Sequence, residues 1–453
     1  MIRTENRQTR LTGRRAGRPH HSRNKTSDEP FVETAQTPSA PEVVVIGAGG
    51  AGIAAAHRLQ ALGFSVLVVE ASDRIGGRAF TESETFGFPF DHGCAWLQGP
   101  EDLPYIKAAR SAGFTLIDHD DPPAALFSDG KPATPDDLER YDEASSHLRQ
   151  LLASHTGDAA ASTLLGISDR WMAAAVTWLS AMDHGVDLAE LSSADVAVYG
   201  AYSVNALVME GLGSLVEQFA KGLPVQTGTI VTGVDWSGKG VTVRTQKGDI
   251  RAQAVIVTVS TGVISARKIR FTPDLPFEVW HAFDDLPMGF LTKIALQTDG
   301  ARFGLPENAF VTRAIDDPLP AKAAFFLSFP FGYDLCVGFA GGSRAWEIEK
   351  AGEEAAIAFA TDQLASMLGS KVRRHIRRGR MTNWGSNPWT LGAYAAARPG
   401  RHKARAMLSN PLGDRVFFAG EAMGGAYPAL LSGAHISGEA AAYRTAAILT
   451  PKK

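Results

Sequence analysis

Apolar residues fall into short unbroken runs separated by glycines or by stretches with helical spacing, not into the polar–apolar alternation of half-exposed strands. "VVVI" (43–46) and "SVLVVE" (65–70) are two such runs, and "AGIAAAHRLQALG" (51–63) between them has the small and apolar residues of a packed helix stopping at Gly63. Run, helix and run in that order predict a βαβ unit whose parallel strands are buried on both faces. "QTGTIVTGVDWSGKGVTVRTQKGDIRAQAVIVTV" (226–259) predicts a β-meander with turns at "SGKG" and "QKGD". "RVFFAG" (415–420) is a further short strand, followed by a small-residue helix in "ALLSGAHISGEAAA" (429–442). "LPMGFLTKIALQT" (286–298) reads as an apolar strand with one ammonium, Lys293, set into it. A lysine at such a position is ordinarily a surface residue with its stem lying along the protein.

The chain has 453 residues, 45% apolar and 21% charged, which is room for two or three domains of a globular protein. No run of 18 apolar residues predicts a membrane span. Two cysteines, Cys94 and Cys336, make no disulfide framework and no C-x-x-C pair, which predicts a reducing, cytoplasmic setting. The net charge of −3 predicts no nucleic-acid partner, but its distribution is uneven. Residues 1–40 predict a disordered basic tail. Arg14-Arg15 has the form of a twin-arginine export signal, but the apolar segment such a signal needs is missing. Residues 101–195 carry 17 acids against 6 basic residues, either a charged surface or a means of drawing cations towards a cleft.

The chemistry starts at the first turn. Gly47, Gly49 and Gly52 form G-x-G-x-x-G between strand and helix, and Glu70 ends the second strand 18 residues further on. The first glycine permits a tight turn, the second admits a pyrophosphate, the third lets helix pack on sheet, and the acid takes ribose hydroxyls. A carboxylate there disfavours NADP. Beyond it, Gly76, Gly77 and Arg78 supply close backbone approach and a cation for a phosphate or an anionic ring oxygen. "GLGSL" (211–215) lacks the fingerprint and follows no clear strand, so no second nucleotide site is predicted. The substrate itself is then expected to reduce the cofactor.

Several separated blocks together resemble the flavin-containing amine oxidases: monoamine oxidases, polyamine oxidases and lysine-specific histone demethylases. They are "VVVIGAGGAGIAAA", "EASDRIGGR", "DHGCAWLQG" (91–99), "VIVTVSTGVI" (255–264), "RFTPDLP" (270–276), Lys293, "NWGSNPWTLGAYA" (383–395) and "FFAGEA" (417–422). The resemblance runs from about residue 41 to 447. It implies an α/β fold, with a Rossmann-like FAD-binding domain (41–99, 205–285 and 380–450) interleaved with a mixed α+β substrate domain (100–204 and 286–379). It also implies FAD held by Gly47, Gly49 and Gly52 at the pyrophosphate, and by Glu70 and Ala71 at the ribose. Val231 would meet the adenine, Gly77 and Arg78 the phosphate and flavin, and Ala95, Trp96 and Trp384 the ring system. Gly420 and Glu421 would hold the ribityl or phosphate region, with Leu431 and Ala434 at the pyrimidine end. With "RFTPDLP" in register, Lys293 matches the family lysine that holds a water at the flavin N5, which reverses the surface reading. Tyr394 matches one wall of an aromatic cage, with Trp389, Leu430 and Gln98 around the substrate.

Departures from the family pattern bear on detail. Ala393 stands where monoamine oxidases carry the flavin-bonding cysteine, so FAD is expected to be non-covalent. Leu430 replaces the tyrosine of the second cage wall, Gln98 the histidine of polyamine oxidases, and Ser72 an arginine near the adenosine. The expected activity is oxidation of a small-molecule amine at a C–N bond, with O2 as acceptor and H2O2 as product. No metal and no integral membrane contact are expected, and the oligomeric state is open. A dehydrogenase or desaturase of the same fold, or a flavin-binding scaffold without turnover, is the alternative. His92, His184 and His435 show no partnered motif and read as structural.

Overall fold

The computed structural model describes Pro38 and residues 40–449, except Tyr199 and Ala201; the basic N-terminal stretch expected to be a tail lies outside the described residues. Strand β1 (Val43–Ile46), helix α1 (Gly50–Ala61) and strand β2 (Val66–Val69) form the expected βαβ unit. β1 is central in a five-stranded, all-parallel sheet, with β2 and Val225–Gln226 on one side and Ala254–Val257 and Val416–Phe418 on the other. Val43 and Val45 pack into one apolar cluster with Ile53, Leu59 and Phe417, whereas Val44 and Ile46 pack into another with Phe271, Phe283 and Phe418. Burial on both faces explains why the run carries no polar alternation.

The last helix, α2 (Leu431–Ile448), lies against α1. A Cβ on Gly438 would stand 2.1 Å from the carbonyl oxygen of Ala51, so the two backbones meet only because a glycine is there.

The meander forms as three antiparallel strands, Val231–Asp235, Val241–Thr245 and Gly248–Ala252. Its last run, Ala254–Val257, does not continue it but enters the parallel sheet beside β1. The fourth strand is Arg270–Thr272, parallel to Val231–Asp235. The difference is physical: "AVIV" is apolar on both faces, which suits the interior of the parallel sheet and not the half-solvated meander.

A seven-stranded mixed sheet supports the other side. Its order is Ile376–Met381, β3 (Leu291–Thr298), Leu335–Gly341, Phe325–Ser328, Ala309–Arg313, Ala124–Ser128 and Lys131–Pro132. Along β3, Ile294 and Leu296 enter the core under helix Glu353–Leu368, while Lys293 and Ala295 face the other way. A smaller sheet pairs Trp96–Gly99 and Leu116–Asp118 with Val204–Val208 between them. "GLGSL" therefore does follow a strand. The helix it opens, Leu212–Phe219, has its N-terminus filled by the carboxylate of Asp91, which accepts from Leu212 N at 3.0 Å and Gly213 N at 3.2 Å, so it offers no phosphate site. No helix among the described residues is long and apolar enough to cross a membrane.

Candidate active site

One cavity of about 1300 Å³ runs between the parallel sheet and the seven-stranded sheet. At the end where a nucleotide is expected it is lined by Gly47, Gly49, Glu70, Ala71, Gly77 and Val231. Gly47 has φ +105, a conformation that only glycine adopts without strain. The N-terminus of α1 opens here with no side-chain cap and no acid in its first turn, so its free N–H groups suit an anion. Gly52 stands off the cavity wall: a Cβ there would lie 1.9 Å from the Gly47 carbonyl, which makes it a packing position beneath the turn. Glu70 is buried, with Oε2 accepting from Ala48 N at 2.8 Å and Oε1 from Ser72 N and Oγ at 2.9 and 2.8 Å. Ser72 thus fixes the acid while itself lining the cavity.

Further along, Arg78 Nη1 donates to the Ala393 carbonyl at 2.7 Å and to Glu421 Oε1 at 2.9 Å, and Ala395 N donates to the same carboxylate oxygen at 3.1 Å. Three distant segments are tied together at one carboxylate. Ala95, Trp384, Gly420, Leu431 and Ala434 complete this part of the wall. Trp384 is held by its indole N–H, which donates to the His92 carbonyl at 3.0 Å. A glycine turn, an uncapped helix, a buried acid and an arginine–carboxylate pair along one cavity fit an elongated dinucleotide.

Lys293 lies on the same wall, only 6% exposed. Its Nζ donates to the main-chain oxygen of Asp91 at 2.7 Å. Burial pushes the ammonium down to about 8, against the attraction of Asp91. Burial also raises the Asp91 carboxyl, despite Lys293 and the donors from Thr81, Leu212 and Gly213. Burial pushes the neighbouring Cys94 thiol up to about 12, so it stays protonated at neutral pH.

The remaining cavity is the part expected to take the substrate. Tyr394 lines it and its hydroxyl donates to the Met182 carbonyl at 2.6 Å, which fixes the ring and leaves its face as a wall. Leu430, Gln98 and Trp389 also line the cavity, Trp389 being 37% exposed. Trp96 is positioned through His119: the indole N–H donates to His119 Nδ1 at 3.1 Å, so the ring is neutral and its Nε2–H donates to the Asn308 carbonyl at 2.9 Å. His184 also lines the cavity, and burial pushes it down to about 4.

Asp183 was not singled out in the sequence. It ends the π-helical turn Trp178–Asp183, and its side chain is accessible from the cavity. Loss of bulk water around it within the cavity pushes its carboxyl up to about 7, against the pull of Arg149 and a hydrogen bond from Trp178. Arg149 and Tyr202 line the cavity with it. In the sequence Asp183 is one acid among many in an acidic stretch, and no local pattern marks it.

The chain belongs to the flavin-containing amine oxidoreductase family, whose pattern matches residues 51–195 and 142–446. It is 29% identical to polyamine oxidase 4 of Oryza sativa subsp. japonica, over 91% of this chain and 90% of that protein. It is also 29% identical to a lysine-specific histone demethylase 1 homolog from the same plant, over 90% of this chain and 52% of that protein. A solved structure of putrescine oxidase bound to putrescine has the same fold, with a TM-score of 0.75 at 21% identity, covering 90% of this chain and 99% of that one. The protein is therefore a flavin-dependent oxidoreductase of two-domain α/β architecture.

Proposed function

We propose that this protein is an FAD-dependent oxidase of a C–N bond in a small di- or polyamine, with the flavin held non-covalently. The bound flavin supplies a hydride acceptor for the amine α-carbon and a site of reoxidation by O2, the balance being amine, O2 and water to carbonyl compound, released amine and H2O2. The chain's own residues do the rest. The Gly47–Gly49 turn and the α1 N-terminus suit the pyrophosphate, Glu70 the ribose, and Arg78 with Glu421 the region between phosphate and ring. Ala393 presents a methyl group in the wall, with no sulfur to bond a flavin. Tyr394 offers a fixed aromatic face against which a neutral amine nitrogen is oriented. Lys293 keeps a proton at Nζ inside the wall, where an electron-rich ring and oxygen can use it. Asp183 is a counter-charge for a second, cationic nitrogen of the substrate. The names of the relatives, polyamine oxidase and putrescine oxidase, point to the same class of amine.

The observation that carries this reading is that Lys293, Tyr394 and Asp183 line one cavity with the Gly47–Gly49 turn. It is tested by anaerobic bleaching of the flavin against diamines, polyamines, monoamines and amino acids, followed by admission of air and assay of peroxide. Acid precipitation is expected to release the flavin into the supernatant. Leu430, standing where the family's second cage wall carries a tyrosine, favours a second reading: a dehydrogenase of the same fold with a different electron acceptor. Bleaching by an amine with slow recovery in air would select it.

A further inference from the structure

Behind the end expected to take the substrate lies a buried ion pair, neither member of which lines the cavity. Asp195 is fully buried on the short helix Ser193–Ala197, whose Val196 and Ala197 line the cavity. Arg405 reaches it from 210 residues away as a fork, Nε to Oδ1 at 2.6 Å and Nη2 to Oδ2 at 2.7 Å. His402 Nδ1 lies 3.1 Å from Oδ1, and Ala397 N donates to Oδ2 at 3.0 Å, so four donors hold the carboxylate. The same guanidinium donates to the carbonyl of Ala422 at 2.7 Å and to that of Ala395 at 2.9 Å. These two carbonyls follow Glu421 and Tyr394 in the chain. The N–H of Ala395 in turn reaches Glu421, which Arg78 holds.

We infer that Asp195 and Arg405 are a positioning pair: they fix the helix carrying Val196 and Ala197 against the segments carrying Tyr394 and Glu421, and so set where an amine sits relative to the flavin. The inference rests on the amine-oxidase reading for its kinetic part. A pair of this kind, buried and bonded through every polar atom, specifies one arrangement of the chains it joins, and removing one partner leaves the other charge uncompensated. A small misplacement of reacting groups by a distant change costs on the order of 100-fold in rate.

The test is Asp195→Asn in full-length protein loaded with FAD. Expected are near wild-type flavin content, an altered visible circular dichroism band of the bound flavin, a rise in KM and anaerobic flavin reduction slower by roughly 10- to 100-fold. Arg170→Met is the control, since it breaks the pairs of Arg170 with Asp129 and Asp316 away from the cavity; a lower melting temperature with unchanged kinetics and dichroism is expected. If Asp195→Asn behaves like that control, the pair is only structural and the inference is overturned. Should it fail to accumulate, Arg405→Lys keeps the cation, loses the fork and serves the same comparison. If no amine bleaches the wild-type flavin, the oxidase reading falls, and the dichroism band by itself decides whether the pair positions the site.

Discussion

Lys293 donates to the main-chain oxygen of Asp91 at 2.7 Å, while the carboxylate of the same Asp91 is taken up by the helix Leu212–Phe219. The ammonium is therefore located by a backbone carbonyl, and the nearby negative charge acts on it without a direct ion pair. That arrangement leaves the remaining protons of Nζ free to serve the cavity.

Lys293→Met is expected to keep its flavin and to lose at least about 10-fold in the rate of reoxidation by O2, the range of general acid–base effects. In the wild type the effective form is the cation, which predominates below about 8, so reoxidation slows as pH rises through that value. The buried cation also costs folding free energy below about 8, and the cost is relieved between there and the ordinary value of 10.5. The wild type then gains stability relative to the variant over that interval. Stopped-flow oxidation of reduced enzyme and pH-dependent melting check both; oxygen kinetics unchanged in the variant would remove Lys293 from the reaction.

Asp183→Asn is expected to raise KM for substrates with a second cationic nitrogen by at least about 10-fold, as for a lost charge-assisted contact, and to spare monoamines. Because the carboxyl is raised to about 7, the charged form that attracts a cation is complete only above that pH, and wild-type KM for a diamine rises as pH falls below it. Steady-state kinetics across pH 5–9, with a diamine beside a monoamine of equal length, measure the difference.

Gly52→Ala places a methyl carbon 1.9 Å from the Gly47 carbonyl, which neither backbone can avoid. A loss of about 3 kcal/mol or more and a colourless protein are expected. Gly63→Ala, with no atom within 4 Å but φ +87, is expected to cost only about 1 kcal/mol and to leave the flavin bound. Denaturant melts with absorbance at 450 nm separate the two.

Arg78→Met leaves the Ala393 carbonyl and the buried Glu421 without their shared donor. A stability loss of about 1–3 kcal/mol is expected, with flavin lost on dialysis that the wild type survives.

The βαβ unit and its glycines were legible because burial on both faces and a turn with positive φ leave only a few residue types open. The apolar strand around Lys293 was legible too, but the strand alone pointed to a surface lysine, and only its register with the preceding "RFTPDLP" block pointed inward. The last run of the meander was misassigned because the partner of Ala254–Val257 is β1, some 210 residues earlier. "GLGSL" looked isolated because the short strand before it has ordinary residues and its anion is a side chain, Asp91, from elsewhere. Asp183 and Asp195 sat unmarked in an acidic stretch. One faces a cavity and the other meets Arg405, and both facts arise only from folding across long separations.

α2 closes on α1 through a glycine against a backbone carbonyl, and α2 also contributes Leu431 and Ala434 to the cavity. During synthesis, then, the phosphate turn emerges hundreds of residues before its own back wall. A nascent chain can shape the glycine loop early, yet it has no complete slot for a prosthetic group until the final helix has left the ribosome. The slot is complete only once that helix has joined the early loop, and any truncation that removes it leaves the loop open to water.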